Sequence, residues 1–207
     1  MSAPAAAAVS SIQSPYARLG RLAAPFAGLF LVLAIFGAME PSIFFSVKNG
    51  QTIAVQTVVV GLGAIGMCFI IISGGIDLSI GSVIALSSVV GAMTLDRGFP
   101  PIVAMAAAAC VGGLCGLVNG ALITSLRIAP FVVTLGMLGM ARGLAKVLAD
   151  NQRVAPPTES LGWLEGFVAS RPDPSWLGMA PAAWVLLGIA IVAAIVLRKT
   201  PFGVHVY

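Results

Sequence analysis

Between Asn49 and Leu95 the chain carries a single charged side chain, Asp77. A stretch so poor in charge cannot form a water-facing surface. At about 20 apolar residues per bilayer crossing it is too long for one span and long enough for two. The break falls at Ser73-Gly74-Gly75, where paired glycines interrupt a helix. The rest of the chain follows suit, with 9% charged residues, 59% hydrophobic residues and a mean hydropathy of +1.05. A soluble domain carries about 25% charge. These figures exclude a soluble enzyme, a disordered tail and a disulfide-stapled secreted module.

Cutting the chain at its charges and prolines gives about six spans, at 22–39, 53–72, 78–95, 102–126, 131–149 and 180–197. Backbone groups in lipid must be satisfied within their own segment or in a closed barrel. The apolar runs lack period-two alternation and exceed the length of about 10 residues typical of a barrel strand. The expected fold is therefore all-α, a polytopic membrane helical bundle. Residues 1–21, rich in Ala, Ser and Pro, form an N-terminal tail, and 22–207 the transmembrane domain. The first apolar stretch is too long for a signal-peptide core and is read as an uncleaved helix. Within 150–179, Leu161, Leu164, Phe167 and Val168 share a helical face beside Trp163. That segment reads either as an amphipathic helix on the outer surface or as an irregular loop.

Orientation follows from Lys and Arg. With the N-terminus cytoplasmic, Arg18, Arg21, Arg127, Arg198 and Lys199 lie inside; Lys48, Arg97, Arg142, Lys146, Arg153 and Arg171 lie outside. The totals do not decide the matter, but the inner loops are the shorter ones, and short loops carry the rule. A cytoplasmic N-terminus and a tail of residues 1–21 inside the cell are expected. The basic residues form no patch that would suit nucleic acid.

Several motifs carry no chemistry. Gly61-Leu62-Gly63-Ala64-Ile65-Gly66 matches a dinucleotide fingerprint but lacks the acidic residue expected about 20 positions later. Cys68, Cys110 and Cys115 lie in apolar runs and read as small hydrophobes. His205 is the one histidine and follows the last span, so no Ser–His pair is available within the membrane. No P-loop pattern is present. No catalytic residues, metal ligands or cofactor-binding set are expected, and the chain reads as a non-enzyme.

Two stretches are informative. Gly112, Gly116 and Gly120 recur every fourth residue, a ridge suited to close helix packing, and Asn119 beside them either bridges helices or lines a polar path. In Gly74-Gly75-Ile76-Asp77-Leu78-Ser79, Asp77 stands where a new helix starts. It reads either as a cap accepting N–H groups of the first turn or as a functional charge inside the membrane.

Gly63-Ala64-Ile65-Gly66-Met67 followed by Ile72–Ser82 resembles the signature of the ribose/xylose/galactose-type permeases of bacterial ABC importers. So does Pro130–Met137 with Ala141-Arg142-Gly143, and Thr200-Pro201-Phe202-Gly203 looks like the lead into that family's coupling loop. The resemblance runs from about Phe44 to Tyr207. It implies a permease subunit in a bacterial inner membrane, N-terminus cytoplasmic, passing a monosaccharide or related small polyol. It further implies cytoplasmic ABC ATPase subunits, a periplasmic sugar-binding protein and a second permease subunit as partners. Gly74, Gly75, Asp77, Ser79 and Asn119 become candidates for motif or translocation roles. Family members continue past the position of Tyr207, so the chain is expected to be a fragment or a truncated product, unable to transport alone. The alternative function is an ion-coupled secondary transporter of a small solute, for which Asp77 is the one candidate acid; a membrane enzyme comes third, for want of paired catalytic groups.

Overall fold

A computed structural model describes residues 26–170 and 177–199, whose regular elements are helices with no strand among them. The tail 1–21, the expected start of the first span, the coupling-loop lead 200–207 with His205, and residues 171–176 lie outside the described residues. The molecule is an all-α membrane protein, as its composition requires.

The chain divides into two units, Met1–Gly50 and Gln51–Tyr207. In the first, α1 (Ala27–Met39) ends at Glu40, which precedes Pro41 and is pushed out of the helical region, with φ −141° and ψ 69°. Pro41 opens the short α2 (Pro41–Phe44). Phe36 stacks on Phe44, and Phe45 meets Phe44 edge-on. Gly37 is buried, and a Cβ there would lie 2.9 Å from the Phe45 ring.

Helix α3 (Val47–Ile72) begins six residues before the expected span at 53. The Ser46 hydroxyl accepts the Asn49 amide at 3.2 Å, a serine cap that apolarity alone does not reveal. The helix ends in two hydrogen bonds, Gly75 N–H to Ile70 O at 2.9 Å and Gly74 N–H to Ile71 O at 3.0 Å. With Gly74 at φ 77°, this is the glycine-dependent stop that the sequence expects.

The second unit also holds α4 (Ile80–Asp96), α5 (Pro101–Leu126), α6 (Pro130–Leu148), α7 (Thr158–Leu161), α8 (Trp163–Val168) and α9 (Pro181–Lys199). Prolines occupy the first positions of α5 and α6, where a missing N–H costs nothing. These bounds shift the expected spans by one or two residues. α3, α5, α6 and α9 are each long and apolar enough to cross a membrane. α1 and α4 are shorter apolar helices, so two of the expected six spans are not full-length helices within the described residues.

Helix α4 packs against both α5 and α6 and forms the centre of this unit. Leu86 of α4 meets Met137, Ala141 and Ala145 of α6, with Val111 and Cys115 of α5 beside them. Outward side chains such as Leu62, Leu117, Leu144 and Val192 are exposed, as lipid-facing residues are. Glycine admits a neighbour where α3 meets α9: a Cβ on Gly61 would lie 2.7 Å from Leu186 Cδ2. The dinucleotide-like glycines therefore lie inside a helix, not in a strand–helix turn. Among the described residues of the 150–179 segment, the stretch up to 170 holds two short helices instead of one amphipathic helix or a plain loop. Gly162, at φ 50°, splits it into α7 and α8, leaving Trp163 and Val168 exposed while Leu161, Leu164 and Phe167 are half-buried.

Candidate functional site

At about 1.5 Å per residue, the 17 residues of α4 reach about 26 Å, short of a hydrocarbon core of about 30 Å. The non-helical stretch before it, Ser73–Ser79, joins two apolar helices of a membrane protein. Irregular backbone at membrane depth is tolerated only when it is buried in protein or lines a cavity. This stretch is buried only at Ser79; Ser73, Gly74, Ile76 and Leu78 are exposed. It borders a cavity of about 370 Å³, near the lower end of ligand-pocket volumes, with walls from the end of α3, the second half of α5 and the start of α6.

The cavity gathers Gly74, Gly75, Asp77 and Asn119 from the sequence-derived candidates. Ser79 stands directly behind it, fully buried. Asp77 Oδ1 accepts the Ser79 amide at 2.7 Å and the Ser79 hydroxyl at 2.6 Å. Asn119 Nδ2 donates to Ser79 Oγ at 3.2 Å, tying α5 to the start of α4. Asn119 is buried, and its Oδ1 has no hydrogen-bond partner among the described residues. It both bridges helices and lines the cavity.

Asp77 does not cap α4 in the expected manner. The helix begins at Ile80 after Ser79, so Asp77 stands too early to reach the first-turn amides. It closes a local turn on the residue two positions ahead instead. Of the small-residue ridge, Gly112 approaches α4, where a Cβ would lie 3.5 Å from Ser87 Oγ. Gly116 and Gly120 have no atom within 4 Å of such a Cβ among the described residues, and Gly116 lines the cavity.

Thr134, buried in α6, is absent from the sequence-derived candidates. Its hydroxyl accepts the Leu78 amide at 3.2 Å and lies 3.0 Å from Pro130 O, holding the irregular stretch against α6. The available signal was its place four residues after a helix-opening proline, where a threonine hydroxyl reaches back to the preceding turn. A second hollow, about 430 Å³ between α3 and α4, is walled by apolar side chains and glycines such as Met67, Ile84 and Gly63, and offers no comparable polar chemistry. No cluster of three metal-binding side chains occurs among the described residues.

Residues 50–207 match the family described as the branched-chain amino acid transport system / permease component. The chain is 36% identical over 183 residues to the ribose import permease protein of Bacillus subtilis, covering 88% of this chain and 55% of that protein. It is 32% identical over 188 residues to the autoinducer 2 import system permease protein of Photorhabdus laumondii, covering 86% and 52% respectively. The D-allose transport system permease protein of Escherichia coli is 38% identical over 127 residues, covering 61% of this chain and 39% of that protein. The chain spans about half the length of the ribose and autoinducer 2 permeases it matches. No solved structure matches.

Proposed function

The chain belongs to the branched-chain amino acid transport system / permease component family, and from that premise we propose that it forms the N-terminal part of the permease subunit of an ABC importer for a monosaccharide or related small polyol. The observation that carries this reading is the similarity to the ribose permease across 88% of the chain. The family description names branched-chain amino acids, but the relatives above are named for ribose, autoinducer 2 and allose, and these favour a polyhydroxylated solute. The complete transporter would pair two permease subunits in the bacterial inner membrane. Cytoplasmic ATPase subunits would drive it, and a periplasmic sugar-binding protein would deliver the substrate.

With the N-terminus cytoplasmic, the end of α3 and the starts of α4 and α6 all fall on the cytoplasmic half. The cavity at Gly74, Gly75, Asp77 and Asn119 then lies near the exit of the solute path, with Ser79 bracing its wall. Uptake by the complete transporter in liposomes tests the reading. Import should depend on ATP and stop when the P-loop lysine of the ATPase partner is replaced. It should survive collapse of the ion gradients. Import that follows an ion gradient and ignores ATP would overturn the ABC reading in favour of an ion-coupled carrier.

A further inference from the structure

The polar groups around the cavity are ordered, and the order has a direction. Ser79 stands between Asp77 and Asn119, and a serine hydroxyl has one proton. That proton goes to Asp77 Oδ1 at 2.6 Å. Ser79 Oγ then has only lone pairs to offer Asn119, so it meets the amide nitrogen at 3.2 Å. The carboxylate thereby fixes the amide with Nδ2 toward Ser79 and Oδ1 turned from it. Oδ1 is the buried acceptor without a partner among the described residues.

The other hydroxyls at the cavity are committed within the chain. Ser73 donates to Ile70 O at 2.8 Å, and Thr134 lies closest to Pro130 O at 3.0 Å. Asn119 Oδ1 and the second carboxylate oxygen of Asp77 are left over, together with the backbone N–H groups of Ile76 and Asp77. None of these has a hydrogen-bond partner among the described residues. Acceptors beside donors suit a hydroxyl group, which does both. A cation would use the acceptors alone, and an anion would meet the Asp77 carboxylate.

We propose that Asn119 is a specificity-determining residue that accepts a hydrogen bond from a hydroxyl of a neutral polyol passing through this cavity, and that Asp77, acting through Ser79, is the positioning residue that keeps Asn119 Oδ1 available as the acceptor. The proposal rests on the permease reading above and assigns its solute path a chemical filter. Ser79→Ala removes the group that orients the amide; Asn119→Ala removes the amide itself.

The test uses the complete transporter in liposomes, with ribose, allose and a deoxy counterpart of each as probes. One binding protein serves every arm, so differences between variants report on the permease. Each variant should slow import of the parent sugar about tenfold per folded permease, the worth of about one hydrogen bond. Import of the deoxy sugar that lacks the hydroxyl read by Asn119 should fall less, so discrimination between the two narrows. Leu86→Ala damages the α4–α6 core instead and should lower both sugars in equal proportion. Where Ser79→Ala accumulates poorly, Asn119→Ala alone carries the comparison. Unchanged discrimination in Asn119→Ala would overturn this inference and leave the permease reading standing. Wild-type import that ignores ATP and follows an ion gradient would instead overturn the permease reading on which the inference rests.

Discussion

Asp77 is where one side chain can be separated into its parts. Its Oδ1 receives two donors from Ser79, and asparagine keeps an acceptor at that position while alanine does not. Asp77→Ala leaves the amide of fully buried Ser79 without its partner, a loss of about 1–3 kcal/mol. We expect Asp77→Asn to accumulate as folded, monodisperse protein in detergent close to wild type, and Asp77→Ala to accumulate markedly less. Equal yields of the two would show that the turn hydrogen bonds contribute nothing measurable. Gly74 offers a second test, because its φ of 77° suits glycine and, next best, asparagine. Gly74→Ala should cost about 1 kcal/mol and Gly74→Asn less. Unfolding in a denaturing detergent series orders the two variants, and an alanine variant as stable as wild type would count against the helix-stop geometry.

The helices show which sequence signals are local. The break after α3 was legible because its cause is covalent: Gly74 takes a left-handed turn that other residues resist. The starts of α5 and α6 were legible for the same kind of reason, proline at the first helical position. The start of α3 was missed because a serine cap, not apolarity, sets it. The link from Asn119 to Ser79 was out of reach, since it depends on the register of α5 against α4 across 40 residues. Likewise, equal spacing places Gly112, Gly116 and Gly120 on one face, but only the tertiary arrangement decides that Gly112 meets α4 while Gly116 borders a cavity. The contact of α3 with α9 yields a prediction at this scale. Gly61→Val drives a branched side chain into Leu186, and overpacking of this kind costs about 1–3 kcal/mol. Leu186→Ala should recover much of the loss when combined with it. A double mutant no more stable than Gly61→Val alone would show that the two helices do not pack through this pair.

For the whole molecule, the balance of basic residues leaves orientation finely poised, so span count and sidedness need separate readouts from one experiment. The turn after α4 at Asp96 and the turn after α5 at Arg127 are separated by a single helix of 26 residues, about 39 Å long and ample to cross the bilayer. They must lie on opposite sides whichever way the chain is inserted. Thr158 follows α6, another helix long enough to cross, and so shares a side with Asp96. In a background lacking Cys68, Cys110 and Cys115, Asp96→Cys and Thr158→Cys should react alike with a membrane-impermeant thiol reagent, and Arg127→Cys should react oppositely. That contrast tests the helix count alone. Which pair reacts from the periplasm tests the orientation: a cytoplasmic N-terminus requires Asp96→Cys and Thr158→Cys to label in intact cells and Arg127→Cys only after the membrane is opened. All three reacting from one side would dismantle the span assignment. The reversed pattern would keep the spans and turn the molecule over, placing the cavity at the α3–α4 break in the periplasmic half. The same Asp77, Ser79 and Asn119 would then meet the solute at its entry, before the path they are proposed to filter.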